Sequence, residues 1–176
     1  QEAGGIPLLL GIARDTQASL KEKISQGLNA DILVLSGGVS MGDYDFTKAV
    51  FQEIGAEMNF WKLAIRPGQP LAFGRIQGKL AFGLPGNPVS SMVTFEQLVR
   101  PAMLKMGGRR SYGRPVVDAI FQEKFSKRTD RRHFLRGVLT REEGVFKVRT
   151  TGDQGSGILT SMVKANCLID VPTEVE

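Results

Sequence analysis

The sequence predicts an α/β sheet domain followed by a small all-β, barrel-like domain, and three observations carry that expectation. Ile32-Leu33-Val34-Leu35 is a short run of branched apolar residues, the pattern of a strand buried on both faces of a parallel sheet. A glycine-rich turn, Ser36 to Asp45, and apolar residues at helical spacing (Ala49, Val50, Ile54) follow it directly. Beyond residues 107–115, a stretch of linker composition, the pattern changes to short strands separated by turn residues. The division is therefore expected at 1–107 for the α/β domain and 113–176 for the β-rich one.

Taken in order, Gln1 to Gly5 reads as the end of a helix and Ile6 to Ile12 as a strand. Asp15 or Thr16 caps a helix whose Leu20, Ile24 and Leu28 share one face. The strand at 32–35, the glycine turn and a helix over 46–54 come next, and Met58 to Ile65 reads as another strand. Alternation along that strand puts Lys62, Ala64 and Arg66 on one sheet face, two cations suited to an anion. Arg66-Pro67-Gly68-Gln69-Pro70 is a stiff turn, and Gln77-Gly78-Lys79 joins 71–76 to 80–84 as a hairpin. A helix then runs to about Met106, with Val89, Met92, Val93, Val99, Met103 and Met106 as its buried stripe and a kink at Pro101. In the last part 116–125, 133–140, 145–149 and 159–163 are strand candidates.

Two loops have the chemistry of anion cradles. Glycines at 37, 38 and 42 let backbone amides approach a ligand, and the following helix adds its positive end, with Asp45 where that helix begins. Leu84-Pro85-Gly86-Asn87-Pro88 likewise ends a strand and starts a helix; Asn87 offers an amide, Pro88 suits the first helical turn and Ser90 offers a hydroxyl. In open α/β sheets ligands bind beside the carboxyl ends of strands, where both loops fall.

Composition narrows the partners. A single cysteine, Cys167, excludes an internal disulfide, and the single histidine, His133, leaves too few ligands for a structural zinc, so any metal should be a hard cation on oxygen. No long apolar span or signal peptide is present, which points to a cytoplasmic protein and no membrane partner. Residues 1–106 carry 10 basic and 9 acidic groups and 107–176 carry 13 and 9, so the positive excess lies in the second part. Without a helix-turn-helix or an aromatic-interleaved basic motif, nucleic acid is not expected.

Six ordered motifs, Gly-Ile-Ala-Arg-Asp (11–15), Ser-Gly-Gly-Val-Ser-Met-Gly-Asp-Tyr-Asp (36–45), Phe-Trp-Lys-Leu-Ala-Ile-Arg-Pro-Gly-Gln-Pro (60–70), Gly-Leu-Pro-Gly-Asn-Pro-Val-Ser (83–90), Phe-Leu-Arg-Gly (134–137) and Gly-Asp-Gln-Gly-Ser-Gly (152–157), resemble the molybdopterin molybdenumtransferase family, MoeA, which includes the gephyrin E domain. The resemblance implies a three-layer α/β/α, MogA-like molybdopterin-binding domain, N-terminally truncated, ahead of the β-rich domain. It implies insertion of molybdate into adenylylated molybdopterin with release of AMP, dependent on Mg²⁺, by a homodimer. The family's acidic residues fall on Asp15 and Asp45, expected to organise Mg²⁺ and the adenylyl phosphates, as a hard cation prefers carboxylate oxygen. Its oxyanion-holding positions fall on Lys62, Arg66, Ser90, Arg136 and Ser156. Ser36, Gly37, Gly38 and Ser40 of the glycine loop, together with Pro67, Pro85, Gly86, Asn87 and Pro88, complete the expected substrate-binding set.

Arg66 stands where the family usually has lysine, and the family's first strand with its Thr-Gly-Asp-Glu motif has no counterpart here. Alone, the 176 residues are therefore expected to be a nearly inactive fragment. A molybdopterin adenylyltransferase of similar α/β fold and a gephyrin-like receptor-binding scaffold are the alternatives.

Overall fold

Thr16 opens the first regular element: its extended backbone turns the chain and its hydroxyl accepts a hydrogen bond from Ser19 N at 3.3 Å, starting α1 (Gln17–Gly27). The computed structural model describes residues 1–38, 46–124 and 130–173. After α1 come β1 (Ile32–Ser36), α2 (Phe46–Glu53), β2 (Glu57–Lys62), β3 (Ile65–Arg66), β4 (Pro70–Ile76) and β5 (Lys79–Leu84). One sheet has the order β1-β5-β4-β2, with β1 and β5 parallel and the other pairs antiparallel, so it is mixed where a parallel sheet was expected. The predicted β4–β5 hairpin turns at Gln77 and Gly78, both at positive φ, as a two-residue hairpin requires.

Alternation along the strands divides the apolar side chains between two faces. Leu33, Ala72, Ile76 and Ala81 pack against Ile24 of α1 and Val50 and Phe51 of α2. Leu71, Phe82 and Leu84 pack the other way, against Val99 of the long C-terminal helical segment. The result is three layers, α/β/α. That long segment is α3 (Pro88–Thr94), a π-helical turn (Phe95–Val99) and α4 (Arg100–Met106). The irregularity is thus the wide turn just before Pro101, which has no N–H to continue the normal ladder. The extra width also shifts the phase of the apolar stripe beyond residue 99, where Met106 falls. Val89, Val93 and Val99 are buried as expected, whereas Met92 and Met106, expected inside, are exposed.

Residues 6–12 do not form the expected strand. They have no pairing partner among the described residues, so no ladder holds them, and Ile6 (98% exposed) and Leu9 (90%) remain in solvent.

The second sheet contains β6 (Ile120–Phe121), β7 (Arg132–Glu142), β8 (Val145–Thr150) and β9 (Cys167–Val171). Its order is β3-β7-β8-β6, with β9 also on β7. Within the expected strand 116–125, only Ile120–Phe121 pairs among the described residues. At 159–163 the expected strand is instead the short helix α5 (Thr160–Lys164), fastened by Ser161 Oγ donating to Ile158 O at 2.6 Å. Five apolar-rich residues suit either state, and the local hydrogen bond decides.

The expected strand over 58–65 is divided between the two sheets. β2 ends at Lys62 opposite Pro70, and Arg132 N then donates to Ala64 O at 3.0 Å, drawing Ile65 and Arg66 into parallel pairing with Arg132 and His133 of β7. Ile65 also joins Val89, Val93 and Phe134 in an apolar cluster containing Met162 and Leu168. The α/β layers and the β-rich part are thus tied by a shared strand and a shared core.

Candidate functional site

The parallel β1–β5 pair brings two loop starts side by side, with Ser36 opposite Leu84. Gly37 N donates to Leu84 O at 3.0 Å. Gly37 has φ 86°, and a Cβ on Gly86 would stand 3.4 Å from the Gly37 Cα, so glycine at both positions permits this approach. Ser36 Oγ lies 3.5 Å from both Pro85 O and Ser91 Oγ. Pro85 is buried, while Gly86 and Pro88 are exposed.

The turn after β3 is pressed onto α3. Gly68, at φ 105°, could not carry a side chain, because its Cβ would fall 2.4 Å from Thr94 Cγ2. This contact sets the Arg66–Pro70 turn beside Ser90, which is 6% exposed on the first turn of α3.

Arg136, on β7, is 1% exposed and held from several directions. Its backbone N–H donates to Gln154 Oε1 at 2.8 Å, and its carbonyl accepts from Gln154 Nε2 at 3.2 Å and from Thr151 N at 3.0 Å. Its Nε donates to Ser161 Oγ at 3.0 Å and its Nη2 to Gly155 O at 3.1 Å. No protein partner is found for Nη1 among the described residues. Burial pushes the guanidinium below its ordinary value, and the nearby Asp153 carboxylate pulls it back up. Arginine stays charged, so a buried cation with an open donor favours an incoming anion. The loop that follows is shaped by Asp153, whose Oδ1 accepts from Gly155 N at 2.8 Å.

These parts enclose a cavity of about 640 Å³ whose lining includes Arg66, Pro67, Ser90, Arg136 and Ser156. Two guanidinium groups and two hydroxyls, supplied by β3, α3, β7 and the 152–157 loop, therefore face one space; all can donate hydrogen bonds, as a tetrahedral dianion requires. Asn87 stands at its edge and donates through Nδ2 to Ser156 Oγ at 3.3 Å.

Lys62 departs from expectation. It is not part of the lining, because β2 ends there and the strand that would have placed it beside Arg66 is broken. Asp15 lies exposed next to the Thr16 cap and is not among the lining residues. Ser40 and Asp45 lie outside the described residues, so the carboxylate pair is not seen together. No group of three or more His, Cys, Asp or Glu side chains suited to a metal occurs among the described residues, and Asp15 alone does not make a Mg²⁺ site.

The cavity also contains side chains not expected from sequence. Gln69 and Arg131 face it joined by a 2.6 Å hydrogen bond, and His133 and Gln154 contribute as well. Gln154 sits inside the Gly-Asp-Gln-Gly-Ser-Gly run and Gln69 inside the 60–70 motif, so those motifs were their signals; His133 had none.

With this geometry in hand, the comparisons with known proteins decide the family. Residues 1–105 match the model described as a probable molybdopterin binding domain, and residues 118–176 match the MoeA C-terminal region, domain IV. The chain belongs to the molybdopterin-binding domain family. Among similar proteins, the molybdopterin molybdenumtransferase of Haemophilus influenzae is 42% identical over 94% of this chain and 41% of its own length. That of Nostoc sp. is 33% identical over 98% of this chain and 41% of its own. The crystal structure of the MoeA molybdopterin biosynthesis protein from Pyrococcus horikosii superposes with a TM-score of 0.78 at 36% identity, covering 99% of this chain and 41% of that one. The chain thus spans about 41% of the length of these relatives. Among the described residues no helix is long and apolar enough to cross a membrane.

Proposed function

We propose that this molybdopterin-binding family chain forms the molybdate-holding part of a molybdopterin molybdenumtransferase, which inserts molybdate into adenylylated molybdopterin and releases AMP. The single observation supporting it is the convergence of Arg66, Ser90, Arg136 and Ser156 on one cavity. In this reading the two guanidinium groups neutralise the dianion and the hydroxyls of Ser90 and Ser156 fix its orientation. The neighbouring loops at Ser36–Gly38 and Pro85–Pro88, beside the carboxyl ends of β1 and β5, receive the pterin and its phosphates.

Asp15 and Asp45 are proposed to hold Mg²⁺, which when bound would neutralise the phosphate charge. A cytoplasmic homodimer with small-molecule substrates, without nucleic acid or membrane, is the accompanying expectation. The β-rich region matched at 118–176, which supplies Arg136 and Ser156, argues against a single-domain adenylyltransferase. A pure receptor scaffold would have no reason to bury an arginine beside a polar cavity.

The test is calorimetric titration of molybdate into the full-length protein and its Arg136→Ala variant, alongside AMP release from adenylylated molybdopterin. Saturable binding lost in the variant, with AMP release that needs molybdate, is expected. Absence of molybdate binding by the unaltered protein would overturn the proposal.

A further inference from the structure

We infer that Asn87 is a positioning residue that makes Ser156 a hydrogen-bond donor to the bound oxyanion, an inference resting on the molybdate reading above. Asn87 occupies the residue before α3, where an asparagine ordinarily folds over and accepts a hydrogen bond from the first-turn amides. Here its side chain makes no capping bond. It turns instead toward a residue 69 positions along the chain, and Nδ2 donates to Ser156 Oγ at 3.3 Å. Its Oδ1 is left buried without a hydrogen-bond partner among the described residues.

The orientation of the amide follows from what each alternative would strand. As placed, one carbonyl oxygen is buried unpaired. Rotating the amide would put the NH₂ group, with its two donors, in that same unpaired position, and stranded donors are rarer and less well tolerated than an under-satisfied carbonyl. Nδ2 therefore faces Ser156. A serine hydroxyl has one proton and two lone pairs. With a lone pair engaged by Asn87, the hydroxyl must direct its proton elsewhere, and Ser156 lines the cavity that Arg66 and Arg136 also face. Without Asn87 the same hydroxyl would be free to turn its lone pairs toward the cavity, where they would repel an oxyanion.

The experiment is molybdate titration of the full-length protein as wild type, Asn87→Ala, Ser156→Ala and the double variant, with thermal denaturation of each. Losing one neutral hydrogen bond's worth of orientation predicts binding weaker by roughly fivefold in Asn87→Ala. The double variant should then bind no more weakly than Ser156→Ala alone, because Asn87 acts only through that hydroxyl. Since no cap bond is lost, the melting temperature of Asn87→Ala should match that of the wild type. Asn87→Asp provides the opposite polarity: its carboxylate accepts the Ser156 proton, so binding should fall further than in Asn87→Ala. The part of that loss running through the hydroxyl should vanish in the Ser156→Ala background. Losses that simply multiply in the double variant, or an Asn87→Ala affinity equal to wild type, would overturn this inference and leave the molybdate site standing. A wild type that does not bind molybdate overturns both.

Discussion

Replacing Arg136 with methionine should separate anion recognition from folding. Methionine keeps the unbranched stem, and the backbone at position 136 stays held through Gln154 and Thr151, whose bonds do not involve the side chain. What disappears is the guanidinium with its contacts to Ser161 Oγ and Gly155 O. Ser161 Oγ still donates to Ile158 O at 2.6 Å and the Gly155 carbonyl still accepts from Ile158 N at 3.2 Å, so neither group is stranded.

Two hydrogen bonds from a charged donor contribute about 1.5–3 kcal/mol each. Against this, the substitution removes a cation that is 1% exposed, whose burial alone carries a penalty of several kcal/mol. The opposing terms nearly cancel, and the change in unfolding free energy should stay within about 2 kcal/mol. Binding has no such offset. A charge-assisted contact to a dianion in a sheltered site contributes about 3 kcal/mol, which corresponds to a roughly hundredfold rise in Kd. Calorimetric titration of molybdate paired with denaturant unfolding measures both quantities on the same sample. A methionine variant that binds within about threefold of wild type would refute the assignment of Arg136 to the oxyanion.

Two further outcomes test the packing. Gly74→Ala should destabilise by about 1–3 kcal/mol, since its Cβ would stand 2.5 Å from Glu57 O and 2.9 Å from Met58 Cα on the neighbouring strand; a denaturation midpoint equal to wild type would contradict the β2–β4 register. Cys167 is half-buried, and burial pushes its thiol up, so its neutral form is favoured in the folded state. The stabilisation this gives is complete below the unfolded thiol pKa and lost as pH rises through the folded one. Alkylation at pH 8 should be slower in native protein than in urea, and equal rates would refute the burial.

Local rules carried much of this fold from the sequence because they were satisfied locally. The hairpin at Gln77-Gly78 needed only its turn chemistry, and the Thr16 cap only the hydroxyl three residues before Ser19. Arg66 was picked out by strand alternation and Ser90 by its loop chemistry, but Arg136, Ser156 and the meeting of all four were legible only through motif resemblance, since nothing in their spacing brings β3, α3, β7 and the 152–157 loop together. Where the reading failed, a non-local partner decided the outcome. The residues after Lys62 continue the same alternation, yet Arg132 captures the Ala64 carbonyl and moves Arg66 to another sheet. Likewise Ile6 to Ile12 has the composition of a strand but finds no ladder to join among the described residues.

That captured strand gives the two sequence units a mutual dependence, which a truncation can measure. Of the four proposed oxyanion-holding residues that line the cavity, Arg66 and Ser90 come from before residue 107 and Arg136 and Ser156 from after it. A chain ending at Met106 would retain the first pair, and would also lose the β7 partner of Ile65 and Arg66 and the Phe134 cover over Val89 and Val93. Val89 and Val93 are 0% exposed in the intact chain. Uncovering part of these two valines and of Ile65, at about 1.5–3 kcal/mol for each fully buried side chain, removes a few kcal/mol, a large share of ordinary domain stability. The 1–106 piece should therefore unfold at lower denaturant than the intact chain, and its 60–70 amides should exchange fastest relative to intact protein, because their β7 partner is gone. It should also show no saturable molybdate binding. A 1–106 piece that keeps both the affinity and the amide protection of the full chain would mean that the cavity belongs to the α/β layers alone, and the shared-strand argument would fall with it.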